Sequence, residues 1–172
     1  MAQTPAPSLE PFRPADAATI LDWVRSPAEM EAWASLVDAE LEPGLFERWH
    51  RDPDVHPHVL TISGRLSAYG EVWEDREEDE AELARLIVDP SCRGQAVGRT
   101  LVTLLAGVAR SRGFEDIWVR VVPTNAPALA CYRGAGFVRT GPAQEAEFNR
   151  GQPRDDIWMR LTDARPPSPG GR

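Results

Sequence analysis

The chain is poor in the residues that make covalent or metal cross-links. Only two of its 172 residues are cysteines, Cys92 and Cys131, too few for a disulfide framework. Three are histidines, His50, His56 and His58. His56-Pro57-His58 with Asp52 and Asp54 nearby has the residue types of a metal site, but Pro57 imposes an extended turn and no third ligand stands at a fixed spacing, so no metal is expected. Apolar runs fall well short of the roughly 18 residues of a membrane span. Residues 1–11 lack a basic start followed by an apolar stretch, so no signal peptide is read and a cytoplasmic location is expected. Positive charge is also scarce: 19 basic against 27 acidic residues give a net charge of −8. That balance argues against a non-specific nucleic-acid binder and, at long range, favours cationic partners.

What is present is ordinary for a globular protein, with 42% hydrophobic and 27% charged residues. The length fits one domain, since domains run about 100–200 residues. The first eight residues and the Pro- and Gly-rich stretch Ala164 to Arg172 read as flexible, leaving a single domain over 9–162.

Leu9 to Arg13 reads as an opening strand, and a helix follows in which Ala17, Ile20, Leu21 and Val24 share one face. Ser26-Pro27-Ala28-Glu29 has the form of a helix start, with Ser26 as N-cap, Pro27 at N1 and Glu29 completing a capping box. Met30, Trp33, Ala34 and Val37 continue the apolar spacing, and Pro43 to Arg51 reads as a third short helix. Strands begin near Val59. Leu66 to Trp73 alternates, with Leu66, Ala68, Gly70 and Val72 on one side; Glu74 to Glu80 reads as a solvated turn; Ala81 to Val88 is the next strand, stopped by Asp89-Pro90. Val97 to Arg112 is the strongest helix, with Val97, Leu101, Leu104, Leu105 and Val108 aligned and Gly113 ending it. Asp116 to Val122 is a buried strand, Ala126 to Ala135 a short helix, and Phe137 to Thr140 and Asp156 to Leu161 closing strands. This order predicts an α/β (α+β) fold, a mixed sheet with helices packed on it.

The most informative stretch runs from Leu83 to Leu101: a strand, a basic loop containing glycine, then the long helix. A helix start offers unpaired N–H groups and about half a positive charge, and small residues let phosphate oxygens approach the backbone. Arg93 and Arg99 add fixed charge. The P-loop pattern is absent, and the three spaced glycines and distal acid of a dinucleotide fingerprint are missing too.

The loop Arg93-Gly94-Gln95-Ala96-Val97-Gly98 resembles motif A (Q/R-x-x-G-x-G/A) of the GNAT, or Gcn5-related N-acetyltransferase, family, with Ala96 at the usual first motif glycine. Asn125 to Phe137 resembles motif B (N-x-x-A-x-x-x-Y-x-x-x-G-F), and Arg13-Pro14-Ala15-Asp16 resembles a common family opening. The resemblance covers Leu9 to Leu161. It implies a mostly antiparallel sheet of about six to seven strands with helices on both faces, and acetyl-coenzyme A as co-substrate with no metal. It implies that Leu86, Ile87 and Val88 lend backbone groups to the pantetheine arm, with an oxyanion-binding N–H near Val88. The diphosphate then lies on Arg93, Gly94, Gln95, Ala96, Val97, Gly98, Arg99 and Thr100, and Asn125 and Ala128 touch the other side of the coenzyme. An alanine at position 96 is tolerated if its φ is negative; a positive φ costs roughly 1–2 kcal/mol.

Acyl transfer to an amine needs a base, an oxyanion donor and help for the leaving thiolate. Tyr132 matches the family tyrosine that faces the leaving sulfur. A free tyrosine titrates near ~10 and a thiol near ~8.5, so full proton transfer is uphill by about 2 kcal/mol and a hydrogen bond to the thiolate is the expected role. Glu82 is the candidate base: it stands 11 positions before Arg93, the spacing of the glutamate base in some histone-type family members. Strict alternation places it on one strand face with Ala84, Leu86 and Val88. Like-charge neighbours Glu80, Asp79 and Glu71 are expected to raise its pKa. The acceptor is a small-molecule or peptide amine, with Trp33, Trp49 and Trp73 as candidate walls, since cations favour aromatic faces. No nucleic acid or membrane partner is expected, and the protein is read as a monomer or homodimer. The rival reading is a regulatory module that binds acyl-coenzyme A without turnover.

Overall fold

The computed structural model describes residues 6–36 and 40–162; Val37 and the stretch 164–172 lie outside them. Seven strands form one sheet in the order β1-β2-β3-β4-β5-β7-β6. They are β1 (Ser8–Pro11), β2 (Val55–Ile62), β3 (Arg65–Asp75), β4 (Glu80–Val88), β5 (Asp116–Val121), β6 (Phe137–Arg139) and β7 (Ile157–Leu161). Among the described residues only β4 and β5 run parallel; every other neighbouring pair is antiparallel. The helices are α1 (Ala17–Leu21), α2 (Pro27–Ala34), α3 (Gly44–Trp49), α4 (Val97–Ser111), α5 (Ala126–Gly134) and α6 (Pro142–Phe148). No helix among the described residues is long and apolar enough to cross a membrane.

Two apolar layers sandwich the sheet. On one face α4 lays Val97, Leu101, Val102 and Leu105 against Ala68, Val72, Ala81 and Leu83. On the other, Ala17, Ile20 and Leu21 of α1, Trp33 of α2 and Phe46 of α3 enclose Tyr69 and Ile87. The α4 layer approaches closely at Gly70. A Cβ built there would stand 2.6 Å from Leu86 Cδ2 and 2.8 Å from Leu105 Cδ1, and Leu105 is fully buried. Gly70→Ala is therefore expected to destabilise the fold by about 1–3 kcal/mol, as overpacking does, read as a lower urea midpoint with unchanged slope.

Several local expectations need correction. Leu66 does not share a face with Ala68, Gly70 and Val72: it packs with the α1–α3 layer, because the β2–β3 register slips between Leu60 and Thr61 and leaves Ser67 as an extra residue. β2 starts at Val55 rather than near Val59, and α6 forms where no helix is expected, with Pro142 at its first turn and Glu145 just inside as the start signal. Ser26 does cap α2 by accepting from the Glu29 N–H at 3.2 Å, but the Glu29 carboxylate closes no box on Ser26. It accepts from the Arg25 N–H at 2.7 Å and pairs with Arg93. Glu74 is not part of a solvated turn either. It is buried, held by Arg112 and Arg76 and by His56 at 3.1 Å.

Candidate active site

The site exists because β4 and β5 part. They pair only at Glu80–Asp116, Ala81–Ile117 and Glu82–Trp118; beyond Glu82 the two strands diverge. β4 also carries a bulge. Its register with β3 jumps from Glu71–Ala84 to Tyr69–Ile87, and Arg85 takes a left-handed φ of 47°, strained for a non-glycine residue. Before the bulge the odd residues Ala81 and Leu83 face α4; after it the even residues Leu86 and Val88 do, while Ile87 turns to the opposite layer. The expected alternation of Glu82, Ala84, Leu86 and Val88 on one face is thus broken at Arg85.

Arg85 is held by what surrounds it. Its guanidinium donates to the Glu71 carboxylate at 2.7 Å and lies 3.9 Å from the Trp49 ring centroid and 4.7 Å from that of Trp73; its carbonyl accepts from Trp33 Nε1 at 2.8 Å. Glu71 is fully buried. Burial alone would raise its pKa, but hydrogen bonds and charge from His50, Arg85, Tyr69 and Trp73 outweigh it and hold the carboxyl below its ordinary range. Trp33 and Trp73 line the cleft and Trp49 does not; the aromatic faces of Trp49 and Trp73 hold the protein's own arginine.

The parted strands open a cleft of about 930 Å³ that reaches the start of α4. Leu86, Ile87 and Val88 line one wall; Asn125, Ala128 and Tyr132 line the other. Arg93, Gly94, Ala96, Val97, Gly98 and Arg99 form the end at α4. Gly94 has φ +77° with open space around its Cα, and the first N–H groups of α4 have no intrahelical carbonyl, so backbone donors stand ready for an anion. Arg99 makes no ion pair among the described residues. Arg93 is already engaged, with Glu29 at 2.6 Å and the Val88 carbonyl at 3.2 Å. Gln95 and Thr100 lie off the cleft: Gln95 donates to the Ser91 carbonyl at 3.3 Å, and both the N–H and the hydroxyl of Thr100 turn back to the Ala96 carbonyl. Asn125 caps α5 by accepting from the Ala128 N–H at 3.2 Å.

Ala96 has φ 60°, the case in which alanine is strained. Ala96→Gly relieves about 1–2 kcal/mol and loses about 0.4–1 kcal/mol to a freer unfolded chain. The expected net gain of about 0–1.6 kcal/mol should appear as a melting temperature raised by up to about 6 °C.

Glu82 sits where the strands separate, half-buried, with Arg120 Nε 2.8 Å from its carboxylate. Burial pushes its pKa up to about 7; Arg120 opposes this, and Asp156 and Glu80 add to it. Of the acids expected to act on it, Glu71 is instead bound to Arg85, and burial rather than like charge is the main cause. Tyr132 is buried on α5, its hydroxyl without a hydrogen bond among the described residues. Burial, with Cys131 and Glu82 adding, pushes its pKa well above 10.

The acetyltransferase (GNAT) family profile matches residues 17–137, well over half of the chain. The chain belongs to the GNAT family. Among individual relatives it is 31% identical over 90 residues to an IAA acetyltransferase of Azospirillum brasilense, covering 52% of this chain and 59% of that protein. It is 35% identical over 78 residues to the ribosomal protein bS18-alanine N-acetyltransferase of Escherichia coli K12, covering 45% and 51%. The matched stretch thus spans little more than half of those relatives' lengths. In structure it resembles the aminoglycoside acetyltransferase AAC(6')-Ib complexed with coenzyme A and kanamycin, with a TM-score of 0.69 over 92% of this chain and 95% of that one. Identity there is 19%, so the likeness is one of fold.

In this GNAT chain the residues missed by sequence reasoning are Arg120, Arg154 and Asp156, all lining the cleft. Arg154 binds Asp156 at 2.6 Å and reaches Glu31 of α2 at 3.3 Å, tying the approach to β7 to the opposite layer. A basic residue inside the apolar strand of Arg120 was the available signal, since a buried charge needs a partner. The histidines are occupied elsewhere: His50 with Tyr69 and Glu71, His56 with Glu74.

Proposed function

We propose that this GNAT domain, over residues 9–162, transfers an acetyl group from acetyl-coenzyme A to a primary amine of a small molecule or a peptide N-terminus, with both substrates bound together. One observation carries the reading. A carboxylate poised near neutral pH, Glu82, and a tyrosine that stays neutral, Tyr132, line the same cleft that ends at the α4 start.

The residues fit the co-substrate. The α4 start and Gly94 offer backbone N–H groups for a diphosphate, and the edge of β4 left by β5 suits an extended amide-bearing arm, which joins a sheet as a strand does. Acetyl-coenzyme A supplies the acetyl group already activated as a thioester. Glu82 takes the proton from the substrate ammonium, directly or through water. The new bond joins the amine nitrogen to the acyl carbon as the carbon–sulfur bond breaks; the second proton lost by the nitrogen goes to the departing thiolate, directly or through water, while Tyr132 donates a hydrogen bond to that sulfur. Glu82 then passes its proton to solvent.

Purified protein should bind coenzyme A in a calorimeter and release free thiol from acetyl-coenzyme A when offered a panel of amines. No heat and no change in melting temperature with coenzyme A would end the reading. Binding without transfer to any amine would leave a regulatory binding module.

A further inference from the structure

Glu82 also borders a second cavity, of about 260 Å³, between the β3–β4 hairpin and α6. Its walls are Trp73, Trp118, Phe148 and Trp158, and its acidic margin includes Asp75 and Glu80. Glu82 and Trp73 line both this cavity and the coenzyme cleft, so the two spaces meet at the candidate base.

Three features define what the cavity can take. Arg120, paired with Glu82, already lies over two of the aromatic walls, 5.7 Å from the Trp73 centroid and 5.5 Å from that of Trp158; these faces hold a cation. Glu80 makes no ion pair among the described residues, and burial with Asp75, Glu78 and Asp116 nearby disfavours its charge, a cost that a bound cation removes. Trp118 is only 5% exposed, and its indole N–H lies against the Glu80 carboxyl, with no other partner among the described residues. The arginines at this end of the cleft, by contrast, are matched: Arg85 with Glu71, Arg120 with Glu82 and Arg154 with Asp156. Among the described residues no unpaired positive charge remains there for an anionic acceptor. The volume is below the roughly 300–1,000 Å³ of sites for whole drug-sized ligands, so the cavity suits one end of a substrate.

We propose that this cavity is an acceptor subsite for a second positively charged group, making small primary amines with a further ammonium the preferred substrates. The inference rests on the transferase reading, and its test separates the two. The full chain, with coenzyme A present, is titrated calorimetrically with 1,5-diaminopentane, n-pentylamine and 5-aminopentanoate, and thiol release from acetyl-coenzyme A is then measured with each. The diamine is expected to bind at least tenfold tighter than the monoamine, and the zwitterion weakest. Glu80→Gln should remove most of that preference while coenzyme A affinity stays unchanged; Asp75→Asn serves if that variant does not fold. Equal binding of all three, tightest binding of the zwitterion, or a preference that survives the Gln variant would overturn the proposal. Preference without turnover would keep the subsite and reject the transferase. Turnover without preference would do the reverse.

Discussion

Glu82→Gln should lower kcat/KM for the amine by about 10²–10⁴-fold, the range that general-base catalysis supplies, while coenzyme A binding is retained. The pH dependence identifies the cause. With a pKa of about 7, Glu82 is an acid below neutrality and a base above it. In the parent protein kcat/KM should fall about tenfold per pH unit below 7 and lose this limb in the variant; any remaining slope belongs to the substrate ammonium, near ~10.4. Stability moves the other way. Between the unfolded value of about 4.3 and the folded value of about 7, the folded protein keeps a proton that the unfolded chain has lost, so stability falls as pH rises through that window. An uncharged glutamine escapes this loss. Glu82→Gln should therefore melt no lower than the parent at pH 8 while being nearly inactive. A variant that unfolds early, or keeps full activity, would remove Glu82 from the reaction.

Tyr132→Phe should reduce kcat by about 10²–10³-fold, the effect of removing one donor aimed at developing negative charge, with KM for the amine little changed. The fold should be indifferent. The hydroxyl makes no hydrogen bond among the described residues, so its removal leaves no partner behind, and the ring keeps its packing against Phe137, with centroids 6.2 Å apart. Because the Tyr132 pKa lies well above 10, donation of its proton to a thiolate of ordinary pKa is even less favourable than for a free tyrosine, and the residue acts as a hydrogen-bond donor. No alkaline loss of activity assignable to it is expected up to pH 9. Full turnover in the phenylalanine variant would sink the role.

Much of this architecture could be read from residue order. The α4 face, from Val97 to Val108, repeats with the period of a packed helix, and periodicity survives into the fold because burial rewards it. The loop Arg93–Gly98 was legible for another reason: a strand end, small residues and a helix start lie in one continuous stretch. What escaped depended on pairing. The bulge at Arg85 leaves no mark in composition, since the jump in register is decided by how β3 and β4 dock. The burial of Glu74 depends on Arg112, 38 positions away. Arg93 reads as a phosphate ligand until Glu29, on a distant helix, claims it. The acidic aromatic cavity draws its walls from β3, β5, α6 and β7, and no local window contains it.

The bulge at Arg85 has a consequence for how β4 can change. It is a switch of parity: odd positions serve the α4 side before it, even positions after it. Were β4 to alternate strictly through Arg85 with no residue removed, Leu86 and Val88 would cross to the α1–α3 side and Ile87 would cross the other way. Both apolar layers would then lose matched side chains at once, though no hydrophobic residue had been removed. Deletion of Arg85 alone would leave Leu86, Ile87 and Val88 on their present faces and should spare the packing of both layers, losing the contacts that Arg85 makes with Glu71 and Trp33.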